Sequence, residues 1–249
     1  MARQTGLIKI KGTLDNVNFY KTKDGDLARM KTSVDKERIA NDPAFVRTRE
    51  NNAEFGFAAN SGKLTRDSLR PMALNAQDSR VNARMTKLMT KIKNLDATSA
   101  RGSRKVGVAM VLPAAKALLK GFEFNKEALL SSILYKPYAL NVTTGVITIP
   151  GLVPINDIVY PIGATHMSLT GCFANVNYAT GIVDVKLSNV QNVLIDGTST
   201  LVTLTPTAVP AGTGAKLFLL KIEFFQLVNA VQYSLKNGAY NALKIVDVQ

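Results

Sequence analysis

His166 and Cys172 are the only histidine and the only cysteine among 249 residues. Most nucleophilic and metal chemistry would have to pass through them. A Ser-His-Asp arrangement needs a serine presented on a sharp turn, and no G-x-S-x-G sequence surrounds any serine here. His166 and Cys172 fall within one expected strand, where His166 reads as structural and Cys172, in T-G-C-F-A, as a small core residue. A Cys–His pair would require these two to converge, and nothing in the pattern brings them together. A metal site would rest on carboxylates, and the five acids of residues 137–249 are scattered. A lone cysteine also excludes an intrachain disulfide.

Two segments resemble phosphate loops and fail on context. Gly212-Thr213-Gly214-Ala215-Lys216 runs into an expected strand where a phosphate loop needs a helix, and Ser61-Gly62-Lys63-Leu64-Thr65 lacks the upstream glycine. Glu123 and Glu127 could act as an acid and a base, but no aromatic-rich sugar cleft accompanies them. No catalytic residue, cofactor site or metal site is therefore assigned, and the chain is read as non-enzymatic.

What remains is charge. The net charge is +13, and residues 1–136 carry all of the excess, with 26 Lys/Arg against 13 Asp/Glu. Residues 137–249 hold five lysines and five acids. Within Asp78–Asp96, Arg80, Arg84, Lys87 and Lys91 recur at helical spacing, beside an apolar stripe of Val81, Met85, Leu88, Ile92 and Leu95. Lys63, Arg66 and Arg70 form a second row, and Arg101, Arg104 and Lys105 add to the positive side from a loop. Such rows fit phosphates or an acidic protein face, while a solvated basic surface is the plainer alternative. No interleaved aromatics accompany them, so nucleic-acid binding would be directed at the backbone and blind to sequence.

The elements that must position these rows follow from periodicity and turn residues. Residues 6–31 alternate as a small β-meander with a hairpin at Asp24-Gly25. Residues 32–41 read as a polar connector. Asp42-Pro43 starts a helix to about Arg70 with a weak point near Asn60–Gly62, and Pro71 ends it. That helix and the Asp78–Asp96 helix make a hairpin. A short helix follows at Leu112–Lys120. From about Phe122 the chain reads as strands, at 131–138, 142–149, 165–176, 181–187, 199–205, 215–227, 231–235 and 242–248. The fold class is α+β, an N-terminal β-meander arm and helical hairpin followed by an antiparallel β-sandwich of immunoglobulin-like or jelly-roll-like type. The expected division is 1–41 arm and connector, 42–121 basic helical region and 122–249 sandwich. No internal repeat is evident. No stretch approaches a membrane span, and the N-terminus lacks the apolar region of a signal peptide.

Gly6–Arg29 (G-L-I-K-I-K-G-T-L-D-N-V-N-F-Y-K-T-K-D-G-D-L-A-R) and Phe224–Val246 (F-F-Q-L-V-N-A-V-Q-Y-S-L-K-N-G-A-Y-N-A-L-K-I-V) resemble a family of uncharacterised proteins of bacterial and phage genomes. The resemblance covers most of the chain and implies a structural protein of a virion or mobile element, with no functional residue to carry over. The expectation is a non-enzymatic capsid or capsid-associated protein, assembled in the bacterial cytoplasm. Its apolar helix stripe and β-arm would be buried between subunits, and its basic rows would face acidic virion proteins or genome. The expected partners are further copies or acidic virion proteins, or nucleic acid through phosphate contacts, with no membrane. The alternative is a sequence-independent nucleic-acid-binding protein; a carbohydrate- or surface-binding module is a third, weaker fit without tryptophan.

Overall fold

The structure, a computed structural model, describes residues 2–31 and 34–249, the side chains of Lys236 and Asn237 excepted. The chain divides into two compact units, 1–49 and 50–249.

In the first unit β1 (Ala2–Arg3), β2 (Gly12–Leu14), β3 (Val17–Thr22) and β4 (Gly25–Met30) form an antiparallel sheet in the order β1-β4-β3-β2. Asp24-Gly25 closes the β3–β4 hairpin as the sequence indicates, with Gly25 at φ +116°, a conformation a side chain resists. Leu7–Ile10 does not join the ladder, although its alternation reads as a strand; it runs irregular and exposed between β1 and β2. A short helix α1 (Lys36–Asn41) forms inside the expected connector, whose Thr32 and Ser33 lie outside the described residues. Asp42 caps the next turn, accepting the Ala44 N–H at 2.9 Å. That turn is a 3-10 segment (Pro43–Phe45), and the regular helix α2 runs Val46–Ser68.

No break occurs at Asn60–Gly62. Gly62 lets α2 approach the next long helix closely: a Cβ there would meet Met85 Cγ at 3.3 Å. After α3 (Arg70–Ala73) comes that helix, α4 (Val81–Lys93), then α5 (Val106–Ala109), α6 (Pro113–Leu119) and α7 (Leu130–Ile133). The last replaces part of an expected strand. Leu130, Ile133 and Leu134 recur at helical spacing, and all three are buried.

The strands β5 (Ala139–Leu140), β6 (Ile147–Leu152), β7 (His166–Val176), β8 (Val183–Leu194), β9 (Thr200–Leu204), β10 (Ala215–Val228), β11 (Val231–Ser234) and β12 (Ala242–Val248) follow, with the one-turn helix α8 (Pro154–Asp157) after β6. They make two antiparallel sheets. One has five strands, ordered β11-β10-β7-β8 with β12 also on β10; the other is ordered β5-β6-β9. Helices and two sheets together bear out the expected α+β, sandwich-like class.

The five-stranded sheet is covered on both faces. Leu217, Leu219, Leu243 and Ile245 share a core with Met85, Met89, Ile92 and Leu119 of the helices. Their strand neighbours Phe218, Leu220, Ile222 and Val246 share the other core with Ile147, Ile149, Val202 and Leu204 of the small sheet. Two-sided burial is why Ala215–Leu227 is almost continuously apolar.

One expectation is corrected here. The apolar stripe of α4 is not left for another subunit, because Val81, Met85, Met89 and Ile92 are buried within the chain's own core. Residues 50–249 form one compact unit, in which helical layer and sheet share that core. The chain also repeats one turn. Asn141 and Asn177 each accept two backbone N–H groups on Oδ1, from residues two and three further on. Gly145 and Gly181, at φ +77° in both, each donate an N–H to the asparagine carbonyl. The shared sequence is N-x-x-T-G-[VI].

Candidate functional site

The residues that could do conventional chemistry are held apart. His166 begins β7 with Nδ1 3.0 Å from Thr165 Oγ1, and Cys172 is buried six residues along the same strand. At about 3.3 Å per residue the two are separated by roughly 20 Å. Burial pushes the Cys172 thiol up to about 12, the opposite of an activated nucleophile. Glu123 bonds Lys244 (3.3 Å) and accepts the Leu130 N–H, while Glu127 pairs with Lys126 at 2.8 Å, so the two acids do not face a common gap. Burial raises the Glu123 carboxyl, against the pull of Lys244.

Both phosphate-loop lookalikes are closed. Asn175 occupies the turn at Gly212–Gly214, donating to the Gly212 carbonyl (3.0 Å) and accepting the Gly214 N–H (2.9 Å). Ser61 and Thr65 lie inside α2 and donate back to the carbonyls of Phe57 and Ser61. Among the described residues no group of three His, Cys, Asp or Glu side chains is placed to hold a metal, and no helix is long and apolar enough to cross a membrane.

The ten basic residues singled out above meet different fates. Arg101 bonds Glu50 at 3.1 Å, Arg104 lies 3.5 Å from Glu54, and Lys105 sits over the Phe57 ring at 5.3 Å. These three tie their loop to α2 and offer little charge to a partner. Glu54 also takes Lys93, whose side chain is 8% exposed against 5% for Glu54. The Lys93 ammonium holds the Glu54 carboxyl below the ordinary range, with the Gly102 N–H helping against desolvation. Asp96 is buried beside them. Desolvation alone would raise its carboxyl, but hydrogen bonds from Ser99, Lys105 and Thr98 drive it well down.

Arg84 is an anchor. It bonds Asp78 and the carbonyls of Glu123 (2.6 Å) and Phe124 (2.9 Å), and its guanidinium lies over Phe122 at 5.1 Å. Arg66 is half-buried with Nη1 lacking any hydrogen-bond partner, and burial lowers its pKa. Arg80 stands exposed just before α4, its own N–H on Asp78. Lys63 on α2, Arg70 on α3, and Lys87 and Lys91 on α4 project into solvent.

Of the ten, Arg84, Lys87 and Lys91 come together. They line a groove of about 350 Å³ between α4 and the end of α6, with Lys120 contributing from the far side. Lys120 belongs to neither basic row of the sequence, although Pro113 and Gly121 bracket the helix it follows. Lys87 and Lys91 also border a groove of about 640 Å³ with the exposed ring of Phe55. They stand on a ridge between the two.

No family model, curated protein or solved structure matches this chain.

Proposed function

We propose that the chain is a structural, non-enzymatic protein of a phage-type particle, which joins to further copies through its N-terminal sheet. One observation carries this reading: among the described residues of 1–49, none is buried. A four-stranded sheet with no core of its own is marginal in water unless something covers it. Leu7 and Ile8 are almost wholly exposed, and Ile10, Leu14 and Met30 largely so. So many exposed large apolar side chains on one small unit are what a contact surface would supply. The segment Leu7–Lys11 adds a strand-like alternation held outside any ladder, as strand addition to another chain requires. The virion setting comes from the resemblance of Gly6–Arg29 and Phe224–Val246 alone.

Light scattering coupled to size exclusion tests the proposal on the full chain. The expected result is a defined oligomer or particle whose mass falls in an Ile8→Asp, Ile10→Asp variant. A wild-type chain that stays monomeric at high concentration, or a variant with unchanged mass, overturns it.

A further inference from the structure

We propose that the groove between α4 and α6 binds the phosphate backbone of nucleic acid without regard to sequence. Four cations line it, Arg84, Lys87, Lys91 and Lys120, and no carboxylate does. Two of the four are fixed from behind, Arg84 by Asp78 and two carbonyls and Lys120 by Asp247 at 2.7 Å. Those acids are themselves largely buried, with side chains 7% and 13% exposed. Lys87 and Lys91 are exposed and, among the described residues, pair with no acid. The groove therefore has two positioned cations on its walls and two uncompensated ones on its rim.

The dimensions suit a phosphate strand. Arg84 to Lys91 spans seven residues, about 10 Å along the helix at about 1.5 Å each. Along the axis of a duplex one strand advances about 3.4 Å per phosphate, so the row is on the scale of a few phosphates. The groove sits on the core shared with the five-stranded sheet, since Met85 and Met89 of α4 and Leu119 of α6 all belong to it. The backbone that carries its cations is thus held in place before any ligand arrives.

The chemistry favours nucleic acid over an acidic protein. A protein contact needs an apolar centre from which water is expelled, but Phe122 is already buried under Arg84, Leu88 is partly buried in the core, and Leu118 is the one exposed apolar side chain of the lining. Phosphates need only charge and access. No aromatic face is free in the groove to stack a base, which is why recognition would be blind to sequence.

The inference does not depend on self-assembly. Fluorescence anisotropy of the full chain with labelled 20-nucleotide single-stranded and duplex DNA, from 50 to 300 mM salt, tests it. The expected result is binding that weakens steeply with salt. A Lys87→Glu, Lys91→Glu variant should lose about tenfold or more in affinity at the lowest salt. Its log–log salt slope should be shallower by about 1.4 to 1.8, from about 0.7 to 0.9 per phosphate contact. A Lys126→Glu, Lys136→Glu variant carries the same charge change outside the groove and should bind nearly as wild type. No binding at 50 mM, equal losses in both variants, or retention of polyglutamate but not DNA would each overturn the proposal. Light scattering on the groove variant keeps the two readings apart. Unchanged oligomer mass with lost DNA binding supports the groove; a mass that falls together with binding makes it a subunit contact and overturns the inference.

Discussion

Lys93 of α4 bonds Glu54 of α2 in a place nearly closed to water, with side chains 8% and 5% exposed. Glu54 receives the Gly102 N–H at 2.8 Å as well, so one carboxylate joins two helices and a loop. Removing one partner of a buried ion pair leaves the other charge uncompensated, at about 3–5 kcal/mol. Lys93→Met should therefore lower stability by about 3 kcal/mol in urea unfolding followed by circular dichroism, with unchanged spectra at neutral pH. A loss below about 1 kcal/mol would show that Arg104 alone neutralises Glu54.

Acid should unfold the 50–249 unit through the same group and its neighbours. Glu54, Asp78 and Asp96 all have carboxyls depressed in the fold: Glu54 chiefly by Lys93, Asp78 and Asp96 by hydrogen bonds that overcome desolvation. A depressed folded pKa gives stability that is full above the unfolded carboxylate range near 4 and declines as pH falls through the lower folded values. Thermal midpoints should hold from pH 7 to about 5 and fall steeply below about 4. Glu54→Gln should flatten part of that fall.

The two matching turns make an internal comparison. Each asparagine satisfies two backbone N–H groups, so Asn141→Ala should cost on the order of 1 kcal/mol. Asn177→Ala should cost more. Its turn carries Tyr178, whose hydroxyl meets Thr65 Oγ1 at 3.0 Å, and burial raises that phenol to about 12. Equal losses in chemical denaturation would mean that this hairpin tip contributes nothing by docking on α2.

Gly107 fixes where that tip docks. A Cβ there would lie 2.8 Å from the Ala179 backbone nitrogen and 3.0 Å from the Tyr178 carbonyl carbon, and backbone cannot step aside as a side-chain end can. Gly107→Val should destabilise by about 2 kcal/mol or more, in the range of overpacked cores. Gly56→Ala, with nothing within 4 Å, should be neutral or stabilising in the same assay.

The alternation of Ala215–Leu227 and the turn residues disclosed the sheet, and helical spacing disclosed α4 with its apolar and basic rows. What periodicity could not disclose was the partner of each face. The α4 stripe reads the same whether Leu119 and Ile245 of its own chain or another subunit covers it. Likewise Arg84, Lys87 and Arg101 look alike in sequence, but Glu50 and the carbonyls of residues 123 and 124, which help to separate anchored from open cations, come from distant points along the chain; only Asp78, six residues before Arg84, lies near. Leu7–Ile10 shows the opposite failure. Its pattern is strand-like, yet no partner strand lies alongside it.

Because the five-stranded sheet is roofed on one side by helices and floored on the other by a second sheet, neither cover can lift without wetting a full row of leucines and phenylalanines. The slab is thus a poor hinge. The backbone positions that carry the cations of α4 therefore keep a constant spacing, like teeth on a fixed comb.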